Sequence, residues 1–179
     1  MSQTCWIETF TGLKFDVLDP QPDMVCIEDI AHAGSQMNRF TGHCRFPYPV
    51  TQHERIGSYI VEPEFALDFL LHDAAESYIG DMNRPLKHFS LAGDEYRKVE
   101  AKIWKVIAHV FGIAEQEPAK VKRIDNAMLY AEKAQLMFGV TWGHKWSETQ
   151  EEADVKIVET SFYDNKRLYL DRFYQLYNK

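Results

Sequence analysis

The sequence predicts an all-α orthogonal bundle preceded by a small β-hairpin. From Ile27 onward, apolar residues recur at helical spacing between proline and glycine punctuation. Alternation of apolar and polar residues is confined to the first segment, Trp6 to Val17. The chain has 179 residues, 45% hydrophobic and 26% charged, so it can enclose a substantial core as one domain.

Trp6 to Val17 alternates around Thr11-Gly12 and reads as two short strands, stopped by Asp19-Pro20-Gln21-Pro22. A first helix is expected over Ile27–Arg39, with Glu28 and Asp29 at its positive N-terminal end. Phe40 to Pro49 reads as a loop, and Thr51–Val61 as a second helix. Pro63 opens a third at a favoured first-turn position, and that helix is expected to run unbroken to Ile79. Asp81 to Phe89 reads as a polar loop. Helix four then covers Ala92–Phe111 with Gly112 as its cap. Pro118 opens helix five, which is expected to reach Phe138. Val140 to Ser147 is a loop, and two last helices cover Glu148–Ser161 and Asn165–Tyr177. No repeat, linker or low-complexity tract divides the chain, so residues 1–179 read as a single domain.

The formal charge of −7 excludes a general nucleic-acid binder, which needs a basic stripe to neutralise phosphates. It leaves room for one small anionic ligand held by a few Lys and Arg residues. Cys5, Cys26 and Cys44 are odd in number and form no C-x-x-C, so neither a zinc ribbon nor a disulfide framework is indicated. A reducing cytoplasm is the expected compartment. The N-terminus lacks the basic and apolar regions of a signal peptide, and no stretch has the apolar length of a membrane span.

Chemistry concentrates in Leu70-Leu71-His72-Asp73-Ala74-Ala75-Glu76. Polar metal-binding types in an apolar segment are costly to bury without a partner, and a divalent cation is an economical one. On a helix His72 and Asp73 are about 100° apart, and Glu76 follows one turn later on the same face. His53 and Asp125 would complete a His₂Asp₂ set suited to Zn²⁺, Mn²⁺, Fe²⁺, Co²⁺ or Ni²⁺. That set points to metal-assisted hydrolysis of a phosphate ester. The bland alternative is a buried His-Asp pair that only sets helix packing.

The order His53, His72-Asp73, Asp125 resembles the H…HD…D signature of the HD-domain phosphohydrolases. The likeness extends from about Phe10 to Met137. It includes Thr11-Gly12-Leu13-Lys14-Phe15-Asp16, Tyr48-Pro49-Val50-Thr51-Gln52-His53, the HDAAE-x-Y-x-GD string ending at Asp81, Arg84-Pro85-Leu86-Lys87, and Ile124-Asp125. It is closest to small phage and bacterial members related to 5′-deoxynucleotidases, including dATP triphosphohydrolases of phages that carry 2-aminoadenine.

The resemblance implies an HD-type helical bundle with His53, His72, Asp73 and Asp125 as ligands of a divalent transition metal (Zn, Co or Mn), with Mg as the nucleotide's counter-ion. It implies Glu76 and Asp81 as catalytic acid/base groups, and Lys87 as a phosphate contact. Arg39 and Arg45 are candidate phosphate forks, and Phe40 and Pro85 are candidate walls of a base slot. Glu132 reads either as a support for the ligands or as a surface ion pair. His32 reads as a packing histidine, His109 as structural or surface, and His144, between Trp142 and Trp146, as part of an aromatic loop. The expected activity is hydrolysis of dATP to deoxyadenosine and triphosphate. The rivals are a 5′-deoxynucleotidase and a non-catalytic nucleotide-binding module. The expected partners are a small nucleotide and further copies of this chain, without nucleic acid or membrane. The last forty residues match no motif of that family.

Overall fold

Hairpin, helices and connecting segments follow the expected order in a computed structural model that describes residues 5–139 and 151–177. The two strands, β1 (Trp6–Glu8) and β2 (Lys14–Asp16), pair antiparallel with Ile7 opposite Phe15. Phe15 is buried and stacks on Tyr78. The tip is fastened by Asp29, whose carboxylate accepts from the Thr11 amide at 2.7 Å and its hydroxyl at 2.9 Å.

The remainder is mostly helical, as predicted. The helices are α1 (Ile27–Gln36), α2 (Val50–Gly57), α3 (Ala66–Leu71), α4 (Glu76–Ile79), α5 (Arg84–Phe89), α6 (Leu91–Phe111), α7 (Ala119–Leu136) and α8 (Phe162–Tyr177). Gly112 ends α6 in the left-handed region at φ 67°, as its position in the sequence suggests. Among the described residues no helix is long and apolar enough to cross a membrane.

Four departures are instructive. The first helix stops at Gln36 rather than Arg39. A 3₁₀ turn follows over Arg39–Gly42, in which Phe40 and Thr41 both take φ 55°. That region is costly for an aromatic or β-branched side chain. The polar loop 81–89 contains α5, because Asn83 accepts from the Leu86 amide as an N-cap and Pro85 suits the first turn.

The helix expected from Pro63 to Ile79 is split into a 3₁₀ turn (Pro63–Phe65), α3, four turn residues and α4. Across the break the amides of Ala74, Glu76, Ser77 and Tyr78 bond three residues back instead of four.

Residues 151–161 form no helix. Ala153, Val155 and Ile157 face inward between exposed neighbours, a period of two that belongs to extended chain. Gln135 clamps this segment, donating to Val155 O at 2.8 Å and accepting from the Ile157 amide at 2.9 Å. The loop expected at 140–147, with Trp142, His144 and Trp146, lies outside the described residues.

The core runs between α1, α3, α6 and α8, through Ile30, Leu70, Leu71, Ile103, Ile107, Tyr169 and Phe173. The unmatched C-terminal segment therefore completes the core. Tyr169 is fully buried and donates to Leu70 O at 2.8 Å, two residues before His72. Phe69 lies beneath the two histidines, with ring centroids 4.7 Å from His72 and 5.7 Å from His53.

Gly57 leaves the room for that ring. A Cβ at position 57 would lie 1.9 Å from the Phe69 ring. Gly57→Ala is expected to destabilise the fold by about 1–3 kcal/mol through overpacking. Thermal unfolding checks this, and an unchanged Tm contradicts it.

Candidate metal centre

Two helices and one interruption bring the four expected ligands together. His53 projects from α2 and is fully buried. His72 and Asp73 sit in the break between α3 and α4, and Asp125 lies on α7. His53 Nε2 and His72 Nε2 are 3.3 Å apart. Asp73 Oδ2 stands 3.3 Å from His72 Nε2 and 4.0 Å from His53 Nε2. Asp125 Oδ1 stands 3.4 Å from His53 Nε2 and 3.8 Å from His72 Nε2. Among the described residues His53, His72 and Asp73 form a group whose donor atoms all lie within 4.8 Å of one another.

Hydrogen bonds at the far ring nitrogens set both tautomers. His72 Nδ1 lies 2.7 Å from the Phe69 carbonyl, which can only accept, so Nδ1 donates. His53 Nδ1 lies 2.5 Å from Glu132 Oε1 and donates to that carboxylate. In the neutral rings both Nε2 lone pairs then point at each other and at two carboxylates. A positive charge between them, a metal ion or a proton, relieves that repulsion. Ligand bonds of roughly 2.0–2.2 Å separate neighbouring donors by roughly 3.0–4.2 Å, the range observed here.

The local field agrees. Burial works against a charged imidazole, yet Asp73, Asp125 and Glu54 together lift His72 to about 10. His53, His72 and Asp73 thus could hold a metal ion through mixed N and O donors, with Asp125 beside the two histidines.

Glu132 supports the ligands and is not a surface ion pair. It is fully buried on α7 and also accepts from Tyr48 OH at 2.9 Å and Arg39 Nη2 at 3.1 Å. Arg39 Nη1 in turn reaches Asp73 Oδ2 at 3.3 Å. The guanidinium expected as a phosphate fork is therefore already committed to two carboxylates, although it still lines the cavity beside the cluster.

That cavity, of about 250 Å³, is bordered by Phe40, Glu76, Asp81, Arg84, Lys87 and Lys122. A second cavity, of about 340 Å³, reaches His72 and Asp73 from the side of Trp104. Lys87 and Lys122 border both. Lys87 Nζ lies 2.6 Å from Glu100 and 3.6 Å from Glu76. Lys122 Nζ lies 2.8 Å from Asp125 and 3.8 Å from Glu117.

Glu76 is 4% exposed, and its Oε2 has no hydrogen-bond partner among the described residues. Burial, then Asp73 and Asp81, push its carboxyl well above the usual carboxylate range. Asp81 is raised as well, chiefly by burial.

The chain shares 36% identity over 141 residues with an uncharacterized protein, YfdR, of Escherichia coli K12, a span of 79% of this chain and 76% of YfdR. The chain belongs to the YfdR family. It is also 33% identical over 135 residues to an uncharacterized protein, RCAP_rcc00048, of Rhodobacter capsulatus, covering 68% of this chain and 66% of that one. No family model matches the chain. Neither relative's name states an activity, so the chemistry of this YfdR-family chain is argued from its own site.

Two expected substrate contacts are not brought to the cavity. Arg45 is exposed and lies over the Phe138 ring, 5.2 Å from its centroid. Pro85 is exposed in the first turn of α5, where it shapes the helix rather than a base slot. Phe40 does border the cavity. His32 packs as expected, stacked on Phe10 with centroids 3.7 Å apart.

Sequence reasoning missed Lys122, Arg84 and Glu54. Lys122 precedes Asp125 by one helical turn, a spacing that puts both on one face. Arg84 opens the Arg84-Pro85-Leu86-Lys87 string already singled out, in which only Pro85 and Lys87 were given a role. Glu54 follows His53 and is buried at 1% exposure, and no periodic signal marks it.

Glu132→Gln removes the charged acceptor that fixes the His53 tautomer. Its affinity for Zn²⁺ or Co²⁺ is expected to fall about 10–100-fold, as for other supports of metal ligands. Competition against a coloured chelator measures this, and an affinity equal to that of the parent protein contradicts it.

Proposed function

We propose that this chain is an HD-domain phosphohydrolase acting on deoxynucleoside triphosphates, with dATP as the preferred substrate and deoxyadenosine and triphosphate as products. The observation that carries the phosphohydrolase reading is the convergence of His53, His72, Asp73 and Asp125 beside a cavity bordered by Arg84, Lys87 and Lys122. The triphosphate and the adenine base come from the resemblance of the HDAAE-x-Y-x-GD and RPLK strings to that branch of the superfamily.

The four ligands would hold a divalent transition cation. When bound, it would lower the pKa of a water and draw electrons from phosphorus. The chain's own groups supply the rest. Lys87, Lys122 and Arg84 neutralise phosphate oxygens, and Arg39, braced by Glu132 and Asp73, keeps a fixed positive charge on the same wall. Water attacks the α-phosphorus and the bond to the 5′-oxygen breaks. The departing oxygen takes a proton from buried Glu76 or half-buried Asp81, whose carboxyls retain protons more readily than exposed ones.

A second reading, a 5′-deoxynucleotidase acting on monophosphates, is favoured by one observation. Lys87 and Lys122 are already paired with Glu100 and Asp125, and Arg45 points elsewhere, which leaves less free positive charge for phosphates beyond the first.

Incubating Co²⁺- or Mn²⁺-loaded protein with all four dNTPs and dNMPs, followed by chromatography, separates these readings. Triphosphate with deoxyadenosine is the expected result. Inorganic phosphate from monophosphates alone selects the second reading, and no hydrolysis of any nucleotide overturns both.

Glu76→Gln should lower kcat about 10²–10⁴-fold, the usual contribution of a general acid or base. Its metal content, measured by elemental analysis, should be unchanged. A Glu76→Gln enzyme as fast as the parent would restore the non-catalytic nucleotide-binding interpretation.

A further inference from the structure

The helix that carries His72 and Asp73 breaks at those two residues, and the break has an identifiable cause. In a continuous helix the Asp73 amide would donate to the Phe69 carbonyl. Here that carbonyl accepts from His72 Nδ1 at 2.7 Å and from the His72 amide at 3.5 Å, and the Asp73 amide donates instead to Glu54 Oε1 at 3.2 Å. His72, through its ring and its amide, has taken the acceptor, and the Glu54 side chain has taken the donor of the same backbone bond. The tips of the pair then meet, with Asp73 Oδ2 3.3 Å from His72 Nε2.

Glu54 is an expensive residue for this place. It is 1% exposed on α2, and burying an acid side chain is costly unless it gains a partner. It stands one residue from His53, so α2 delivers a ligand from one position and a grip on the facing segment from the next. α2 and the His72–Asp73 turn are thereby held together at the spacing the cluster needs.

We infer that Glu54 is a positioning residue of the cation centre: by accepting the Asp73 amide it opens the helix after Leu71 and fixes the His72–Asp73 pair on one cation. The inference rests on the reading of His53, His72, Asp73 and Asp125 as that centre. Two contributions are separable by substitution. Glu54→Gln keeps an oxygen acceptor and replaces the acid with an amide. Glu54→Leu loses both.

The test uses the full-length protein titrated with Co²⁺ alone, read by its visible d–d absorption and by chelator competition. Far-UV circular dichroism and Tm serve as folding controls. Glu54→Gln is expected to keep the parent spectrum and an affinity within about threefold. Glu54→Leu is expected to shift the spectrum and lose at least about tenfold in affinity. A folded Glu54→Leu protein with the parent spectrum and affinity overturns the inference while leaving the centre intact.

Should Glu54→Leu not fold, Glu54→Asp keeps the carboxyl group and withdraws the oxygen by one methylene. The same spectral shift and loss are expected of it, and parent-like binding overturns the inference. A parent protein that binds no Co²⁺ removes the centre and the role of Glu54 together.

Discussion

Two imidazole nitrogens 3.3 Å apart, each with its lone pair aimed at the other and at carboxylate oxygens, form an arrangement that repels itself unless a positive charge sits inside it. Much of the molecule is arranged around that demand. Glu132 and the Phe69 carbonyl hold the two rings in the tautomers that turn Nε2 inward. Phe69 is a fully buried floor beneath both rings, and Gly57 leaves space for it. Tyr169, on the last helix, holds the Leu70 carbonyl just upstream, so the C-terminal segment steadies the loop of ligands from behind.

The charges beyond the cluster divide the labour. Acidic groups crowd the inner wall, while Lys87 and Lys122 stand between the two cavities, each shared between a carboxylate near the ligands and one farther out. An anionic ligand would compete with Glu100 and Glu117 for those ammonium groups instead of meeting bare cations. Phe40, on the cavity's rim, and its neighbour Thr41 are both held at φ 55°, so the chain tolerates backbone strain there.

The hairpin was legible because Trp6–Val17 alternates around a glycine turn, and the long helices because their apolar spacing and caps agree. The pairing of His72 and Asp73 as candidate ligands was legible because metal-binding side chains in an apolar run are rare and costly, and the structure brings His53 beside them. The segment 151–161 was misread because Ala153, Val155 and Ile157 satisfy a helical pattern loosely and a two-residue pattern well. What holds it, Gln135, is distant in sequence. The break at His72 was invisible for a similar reason: its cause lies in a side chain on α2, and local propensity favours a continuous helix. Arg45 and Pro85 were assigned to the site by proximity along the chain, and the turn at Arg39–Gly42 and the start of α5 direct them elsewhere. Glu54 carries no sequence signature at all, because a buried carboxylate and an exposed one look alike in a single sequence.

The central claim is that this cluster is a cation centre and not a packed His-Asp pair. Anomalous diffraction from crystals grown with Co²⁺ or Zn²⁺, combined with elemental analysis of the same protein, tests it most directly. The account predicts one transition-metal ion per chain, bonded at roughly 2.0–2.2 Å to Nε2 of both His53 and His72 and to the carboxylates of Asp73 and Asp125. A well-ordered pocket that holds no metal under those conditions, with a proton shared between the two imidazoles, would contradict it.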